Sequence, residues 1–303
     1  RPKMKIIESI DEMREYSQQL KREGKTIASV ATDSYLHDGH MSLVKIAKEN
    51  ADVVMLSAFH NFNYFFYTPE KYTEYITKYQ TDFLEADLII CKENDVDVFF
   101  QPSMLDLYSN LTNKITLSGP FIDRFIKKRA SMPHLTNGYG DAMSLDALGN
   151  LQIFNIQLPD VKIIGEKDMY ELTSYVKFLI DDLNYSIKLI IAPTIRDSDG
   201  LAISSRNRFL SDSERQKATS IYQTLYEISK WSTYPSVTEI KKHITNRIES
   251  FSGTITYIDI CCAETLEELD SIDRKSVIII SAMFSDMDYL VDQIIIDPER
   301  IKR

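Results

Sequence analysis

Two histidines separated by two residues are the first feature of the chain that could do chemistry. The segment His37-Asp38-Gly39-His40 follows an apolar run at 26–31 that predicts a buried strand, and a stretch with helical spacing follows it. Asp38 is a plausible N-cap and Gly39 permits a tight turn. Because a helix N-terminus favours phosphate, the two imidazoles could donate to a nucleotide phosphate. A capped turn with two exposed histidines fits the spacing equally well.

Two later segments also carry groups suited to phosphate. Gly165-Glu166-Lys167-Asp168 directly follows a predicted strand at 161–164. Ser204-Ser205-Arg206-Asn207 offers two hydroxyls and an arginine, which can bind a polyphosphate through several donors. Taken singly, the first segment also fits an ordinary charged surface turn, and the second also fits a polar loop.

The pattern along the chain predicts a parallel sheet followed by a smaller domain. Strands alternate with helical stretches in the first part, which is typical of βαβ units. The predicted strands lie at 26–31, 52–59, 96–100, 161–164 and 187–191, and the predicted helices at 5–23, 41–47, 70–94 and 169–184. Residues 101–150 are the least regular stretch, with loop-like segments at 131–134 and 137–141.

The pattern changes after about residue 208. Helical stretches at 211–231 and 237–250 are followed by strands at 256–260 and 276–281. We therefore predict an α/β fold, with a parallel-sheet domain over 4–194 and a smaller α+β domain over 195–303.

The composition is that of an ordinary globular protein. The chain has 303 residues, 44% hydrophobic and 26% charged, and a net charge of −10. The negative charge argues against non-specific nucleic-acid binding. No signal peptide and no apolar run near the ~20 residues of a membrane span is found. The three cysteines form no disulfide framework, so a reducing, cytoplasmic location is expected.

An aromatic run lies beyond the second predicted strand. Residues 60–67 read His-Asn-Phe-Asn-Tyr-Phe-Phe-Tyr. In open α/β sheets, ligands bind outside the carboxyl ends of the strands. A pocket role and a packing or interface role fit this run equally well.

In combination, the three phosphate-type segments resemble the pantothenate synthetase (pantoate–β-alanine ligase) family of the HxGH nucleotidylyl-transferase superfamily. Their order is more specific than any one segment. Supporting matches run through nearly the whole chain, among them Val96-Asp97, Ile153-Phe154-Asn155 and Asp199-Gly200-Leu201-Ala202.

The resemblance implies a two-step, ATP-dependent reaction. A carboxylate attacks the α-phosphorus of ATP to give an acyl adenylate and pyrophosphate, and an amine then releases AMP. The resemblance also implies a Rossmann-like N-terminal domain with a C-terminal lid, Mg²⁺, a small-molecule acid and amine as substrates, and a homodimer. No nucleic-acid or membrane partner is expected from the net charge and the lack of a long apolar run. The protein's part would be electrostatic stabilisation and orientation.

Residue roles carry over by motif position. His37, His40, Lys167 and Arg206 would act on the transferring and leaving phosphates. Asp87 matches a family acid near the magnesium. The remaining nucleotide contacts would be Gly39, Gly165, Asp168, Ile203, Ser204 and Ser205.

The departures from the family concentrate in the acid pocket. Tyr64 and Glu171 stand where the family has two glutamines that hold pantoate, although Asn61 is kept. Asp33 adds a further carboxylate just before the histidines, and Tyr170 is the remaining candidate for substrate binding. A pocket built to hydrogen-bond one substrate rejects analogues that leave its polar groups unpaired. This acidic pocket therefore predicts a different acid substrate, one that carries an amino group or another cationic or donor-rich feature.

Three alternatives remain open from the sequence. The chain could be a true pantothenate synthetase whose pocket compensates for the replacements. It could be a nucleotidylyl transferase that stops at the adenylated product. It could also be a catalytically silent ATP-binding protein, against which His37, His40, Lys167 and Arg206 argue.

Overall fold

In the computed structural model, a parallel β-sheet organises the first of two compact units, Arg1–Pro193 and Thr194–Arg303. The structure describes residues 3–32, 35–58, 77–107, 118–120, 123, 139–168, 175–284 and 289–298, without the side chains of 104–105 and 139–146. Within these ranges the sheet has six strands in the order β1-β4-β3-β2-β5-β6, and every neighbouring pair is parallel. The strands are β1 (Lys5–Ile7), β2 (Ile27–Thr32), β3 (Val53–Ala58), β4 (Val98–Phe100), β5 (Val161–Gly165) and β6 (Lys188–Ala192).

The two central strands are apolar because both of their faces are covered. Every residue of β3 is buried, and five of the six residues of β2 are buried. The two strands pair without a shift from Ile27 opposite Val53 to Thr32 opposite Ala58. Continuous apolar strands of this kind are typical of parallel sheets with helices on both sides.

The helices of the first unit connect these strands. They are α1 (Ile10–Arg22), α2 (Asp38–Asn50), α3 (Leu84–Glu93), α4 (Met104–Leu107), α5 (Tyr139–Gln157) and α6 (Lys177–Asp181). On α2, Met41, Val44 and Ala47 recur at helical spacing and are buried. This spacing turns one face of α2 to the core and leaves its first turn at the carboxyl edge of the sheet. In the described part of the chain, no helix has the length and apolarity that crossing a membrane requires.

Two local predictions in this unit are wrong. Residues 5–7 form strand β1 and not the start of a helix, because they pair with β4. Residues 139–150, predicted to be irregular, lie in helix α5. Strand β1 depends on a partner more than 90 residues away, which local spacing does not reveal. Helix α5 has apolar residues on all sides, so it lacks the amphipathic period that identifies a surface helix.

A buried polar network crosses the sheet, and its disruption gives a stability prediction. Gln157 is fully buried; its Oε1 accepts from Ser29 at 2.8 Å and its Nε2 donates to Ser57 at 2.7 Å. We expect Gln157→Leu to lower the free energy of unfolding by about 1–3 kcal/mol, because two buried hydroxyls lose their partner. Urea titration measures the change. The triple variant, which adds Ser29→Ala and Ser57→Ala to Gln157→Leu, should recover most of the lost stability. Equal losses in the single and the triple variant would contradict this explanation.

The second unit is an antiparallel sheet packed on helices. Its helices are α7 (Asp212–Ala218), α8 (Ser220–Ser229) and α9 (Val237–Ser250), and its strands are β7 (Thr254–Cys262), β8 (Ser276–Met283) and β9 (Tyr289–Ile296). Within the described residues the strand order is β7-β8-β9. Isoleucines 221, 240, 244, 260, 278 and 280 form much of its core. The predicted α/β class with a smaller α+β unit is confirmed.

A buried carboxyl in this unit predicts a pH dependence of stability. Asp259 on β7 is 1% exposed, and burial, aided by the negative charge of Glu268, raises its pKa from 3.8 to about 8. Between these two values the unfolded carboxyl is ionised while the folded one keeps its proton. Stability should therefore fall as the pH rises from about 4 to 8, by up to about 1.4 kcal/mol per pH unit from this group.

The matched variant is Asp259→Asn, which keeps the shape and cannot ionise. Urea unfolding at several pH values should show a shallower fall for this variant than for the wild type. Parallel curves over that range would contradict the assignment to Asp259.

Candidate functional site

The histidine turn begins helix α2 at the carboxyl end of β2. His37 itself is the N-cap, and its Nδ1 accepts a hydrogen bond from the Gly39 amide at 3.1 Å. The prediction of Asp38 as the cap is wrong, since Asp38 is the first helical residue. The His37 carbonyl accepts from the amides of His40 and Met41. The first turn of the helix is thus built around His37.

The two imidazoles form one unit. Their ring centroids lie 3.9 Å apart with 26° between the ring planes. Because the Nδ1 of His37 accepts from an amide, the neutral ring carries its hydrogen on Nε2. His37 can therefore donate one hydrogen bond in a direction that the cap fixes, which suits a phosphate oxygen.

The lysine segment lies at the same edge of the sheet. Glu166–Asp168 form one turn of 3₁₀ helix directly after β5. Strands β2 and β5 are parallel neighbours, with Val30 opposite Ile163, so both segments follow strand ends at one edge. A Cβ on Gly165 would lie 3.2 Å from Oδ2 of Asp168, so a side chain there would press on that carboxylate. The structure therefore brings Gly165, Lys167 and Asp168 to the edge that carries His37 and His40.

Asp87 lies on α3, where its carboxylate contacts the chain just before His37. Oδ2 accepts from the Tyr35 amide at 2.9 Å and from the Tyr79 hydroxyl at 2.7 Å, and Oδ1 accepts from the Leu36 amide at 2.8 Å. Among the residues that the structure describes, no group of three or more His, Cys, Asp or Glu side chains could hold a metal ion. The described residues thus supply no set of protein ligands for a resident magnesium, and a contact of Asp87 with the magnesium of ATP stays a prediction from the sequence.

The serine–arginine segment belongs to the second unit. Ser204 caps a 3₁₀ helix, Ser205–Phe209, and its Oγ accepts from the Arg206 amide at 3.3 Å. A hydroxyl oxygen that accepts in this way still carries a hydrogen to donate. The Arg206 guanidinium lies 4.6 Å from the centroid of the Tyr289 ring. A cation–π contact of this kind restrains the arginine side chain. It leaves the guanidinium N–H groups able to donate hydrogen bonds.

A tight hairpin over 195–203 positions this segment. The Ile203 amide donates to the Ile195 carbonyl at 3.0 Å. The backbones of Arg196 and Ala202 form an isolated antiparallel β-bridge. The Arg196 guanidinium donates to both carboxylate oxygens of Asp292, at 2.5 and 3.0 Å. It also lies 4.0 Å from the Tyr222 ring centroid.

A second arginine secures the tip of this hairpin. Arg215 pairs with Asp197 at 2.5 Å and with Asp199, and the hydrogen bond that Arg215 donates to Asp199 lowers the pKa of the Asp199 carboxyl. Gly200 has φ +91° there, and a Cβ would collide with the Tyr222 ring. The hairpin leading to Ser204 is therefore fixed at its base and its tip.

The predicted acid pocket lies outside the described residues. This applies to Asp33, Asn61, Tyr64, Tyr170 and Glu171, and to the aromatic run at 60–67. Their roles stay predictions.

Sequence reasoning missed the residues that hold the motifs in place. These are Tyr35, Tyr79, Arg196, Arg215 and Asp292. One signal was visible: Asp87 stands on α3 among Leu84, Leu88 and Cys91, where an acid on an apolar helix face needs internal partners.

Comparison with known proteins assigns the family. The model of the family described as Pantoate-beta-alanine ligase matches residues 5–295. The chain belongs to the pantoate–β-alanine ligase family. The pantothenate synthetase of Thermotoga petrophila is 33% identical over 288 residues, 92% of this chain and 95% of that protein. That of Thermosipho africanus is 34% identical over 301 residues, 97% and 100% of the two chains.

Solved structures of this family have the same fold. A pantothenate synthetase from Thermus thermophilus matches with a TM-score of 0.77 and 27% identity, covering 96% of this chain and 99% of that one. The pantoate–β-alanine ligase of Francisella tularensis, crystallised with β-γ ATP and β-alanine, matches with a TM-score of 0.70 and 26% identity, covering 97% and 98%. The predicted family is confirmed, and so is the prediction of an ATP-dependent, amide-bond-forming ligase.

Proposed function

We propose that this protein is an AMP-forming ligase that joins pantoate to β-alanine. The observation that carries the proposal is the family match over residues 5–295, together with intact histidine, lysine and serine–arginine motifs. The relative crystallised with β-γ ATP and β-alanine supports the nucleotide and the amine. These comparisons favour pantoate over the altered acid that the pocket residues predict.

In the first step, a carboxylate oxygen of the acid forms a bond to the α-phosphorus of ATP, and the bond to pyrophosphate breaks. The Nε2 hydrogen of His37 and the imidazole of His40 donate to the phosphate oxygens as charge develops there. Lys167 adds a positive charge at the same edge of the sheet. The hydrogen bond from the Gly39 amide fixes the His37 ring before the nucleotide binds. Electrostatic stabilisation of a transition state requires donors that are oriented in advance.

Pyrophosphate is the group that the serine–arginine segment would hold. Ser204, Ser205 and Arg206 supply hydroxyl and guanidinium donors suited to the β- and γ-phosphates. Ile203 continues the hairpin into this segment through its backbone bond to Ile195. In the second step, the amine attacks the adenylate carbonyl, loses a proton and releases AMP. ATP enters with its Mg²⁺ as substrate.

A second candidate keeps this chemistry and changes the acid. Its support is in the sequence, where Tyr64 and Glu171 replace the two family glutamines and Asp33 adds a carboxylate. An acid with an amino group would satisfy such a pocket. A homodimer remains an expectation from the family, and a cytoplasmic location remains an expectation from the cysteines.

An ATP–pyrophosphate exchange screen tests the two candidates together. The purified chain is incubated with MgATP, labelled pyrophosphate and a panel of acids that includes pantoate and amino acids. We expect exchange with pantoate, and stoichiometric AMP and pantothenate when β-alanine is added. Exchange with an amino-bearing acid but not with pantoate would support the second candidate instead.

Two other outcomes would reject both candidates. Accumulation of an adenylated product that no amine consumes would indicate a nucleotidylyl transferase. An absence of exchange with every acid, in protein that still binds ATP by calorimetry, would indicate a silent ATP-binding protein.

A further inference from the structure

We propose that Asp87 and Tyr79 are a positioning pair that holds the chain at Tyr35-Leu36 and thereby aims His37 at the phosphate. The effect on catalysis rests on the proposed adenylation chemistry. The effect on local structure does not, so the two can be tested separately.

The chain before His37 adopts a conformation that needs external support. Tyr35 has φ +53°, in the left-handed region that residues with a Cβ rarely occupy. Such conformations persist where the surrounding structure imposes them, and they concentrate at functional sites. Tyr35 lies two residues before His37, so its backbone angles set the direction in which the chain enters the histidine turn.

The Asp87 carboxylate supplies that support to the backbone. It accepts from the two consecutive amides of Tyr35 and Leu36, one on each oxygen. The amides of a chain in a left-handed turn point the same way, and a carboxylate can satisfy both at once. Asp87 is 3% exposed, so water competes little for these bonds.

Tyr79 fixes the carboxylate in turn. Its hydroxyl donates to Oδ2 of Asp87 at 2.7 Å, and the whole residue is 0% exposed. The Tyr35 ring packs edge-on against the rings of Tyr79 and Phe83, with centroids 5.4 and 4.8 Å away. The backbone and the side chain of Tyr35 are therefore held by the same helical region.

The path from Asp87 to the His37 ring is short and runs through a buried residue. Leu36 is 6% exposed and belongs to the core cluster that includes Met41 and Val44 of α2. His37 follows it and caps α2 through Nδ1. A change at Asp87 would thus reach the His37 ring through one buried residue. A displacement of about 1 Å can lower a rate by about a hundredfold.

A metal role and a positioning role for Asp87 make opposite predictions for Tyr79. A positioning role requires the Tyr79 hydroxyl, because that hydroxyl orients the carboxylate. A metal role does not require it, and removing a competing donor would leave the carboxylate more available to a cation.

The test compares Asp87→Asn and Tyr79→Phe with Asp160→Asn as a matched control. Asp160 also accepts a backbone amide of β2, that of Ile27 at 2.7 Å, but at the opposite end of the strand. In Asp87→Asn one oxygen becomes an amide donor that faces a backbone donor. Each variant is assayed by pyrophosphate exchange over ranges of MgATP and of free Mg²⁺. Amide hydrogen exchange of the 35–40 segment is measured in parallel.

We expect Asp87→Asn to lower kcat by about tenfold to a hundredfold while KM for MgATP changes by less than about threefold. Tyr79→Phe should lower kcat in the same way by about threefold to tenfold, and Asp160→Asn should have little effect. Excess Mg²⁺ should rescue neither variant. The amides of Tyr35 and Leu36 should lose protection in Asp87→Asn and keep it in Asp160→Asn.

Two results would overturn the inference. One is recovery of Asp87→Asn activity at high Mg²⁺ together with an unchanged kcat in Tyr79→Phe. That result would make Asp87 a metal ligand. The other is unchanged protection at Tyr35 and Leu36 in Asp87→Asn. If the wild type catalyses no exchange at all, the proposed function fails, while the hydrogen-exchange result still decides whether Asp87 holds the turn.

Discussion

His40→Ala should lower the rate of ATP–pyrophosphate exchange by about a hundredfold to a thousandfold, the usual cost of removing one fixed donor from a developing charge. His40 lies in the first turn of α2 and its ring stacks on His37, so its direction is set before the nucleotide binds. The measurement is exchange at saturating MgATP and acid. In the proposed mechanism His40 acts mainly on the transition state, so kcat should fall much more than the affinity for MgATP.

His243→Ala is the control for losing a histidine. His243 lies on α9, where its Nε2 is 3.1 Å from Glu227 and its ring packs on Trp231. Its removal should alter stability and leave the exchange rate within about twofold. Exchange in His40→Ala within tenfold of the wild type would contradict the role assigned to His40.

His37→Asn separates capping from chemistry at the neighbouring position. Asparagine is among the best N-cap residues, so its oxygen can accept from the Gly39 amide and keep the helix end. The variant lacks the Nε2 donor. We therefore expect slow exchange with an unchanged melting temperature.

Arg196→Met should lower the free energy of unfolding by about 3–5 kcal/mol, because it leaves the carboxylate of Asp292 buried without its partner. The Asp292 side chain is 5% exposed and that of Arg196 is 19% exposed, so solvent screens this pair only weakly. The variant also loses the stacking of the guanidinium on Tyr222. Urea or thermal unfolding of the full chain measures the effect.

Two further variants define the cause of that loss. Arg196→Lys should recover little of the stability that Arg196→Met loses, because one ammonium cannot donate to both carboxylate oxygens in a planar pair. The double variant Arg196→Met with Asp292→Leu should recover much of the stability, since no charge is left buried. A single-variant loss below about 1 kcal/mol would place this pair among weak surface bridges.

The sequence predicts well those elements whose signal is local. Strand β2 and helix α2 have apolar patterns that identify them without any partner, and the histidine turn lies between them as expected. Strand β1 is missed, because it is three residues long and depends on β4. Helix α5 is missed because it has no polar face that would mark its period.

The same distinction applies to the site. The residues proposed to face the nucleotide are visible as motifs, since chemistry restricts their types and spacing. The residues that hold them are not, because Asp87 acts on Tyr35 across 52 positions and Arg196 acts on Asp292 across 96. A carboxylate that anchors two amides also resembles a magnesium ligand when only its sequence position is known. The structure adds what the sequence position lacks, namely the Tyr35, Leu36 and Tyr79 donors around this carboxylate.

The cap formed by His37 has a consequence for the movement of protons. A histidine that relays a proton takes it on one ring nitrogen and gives it up from the other, but Nδ1 of His37 accepts from the Gly39 amide at the start of α2. Protonating that nitrogen would remove this capping hydrogen bond, at a cost of about 1 kcal/mol, although the backbone bonds to the His37 carbonyl would remain. The cap therefore favours a His37 that holds a hydrogen toward the phosphate over one that passes a proton through its ring. We expect the proton that the incoming amine loses to leave through another group or through water.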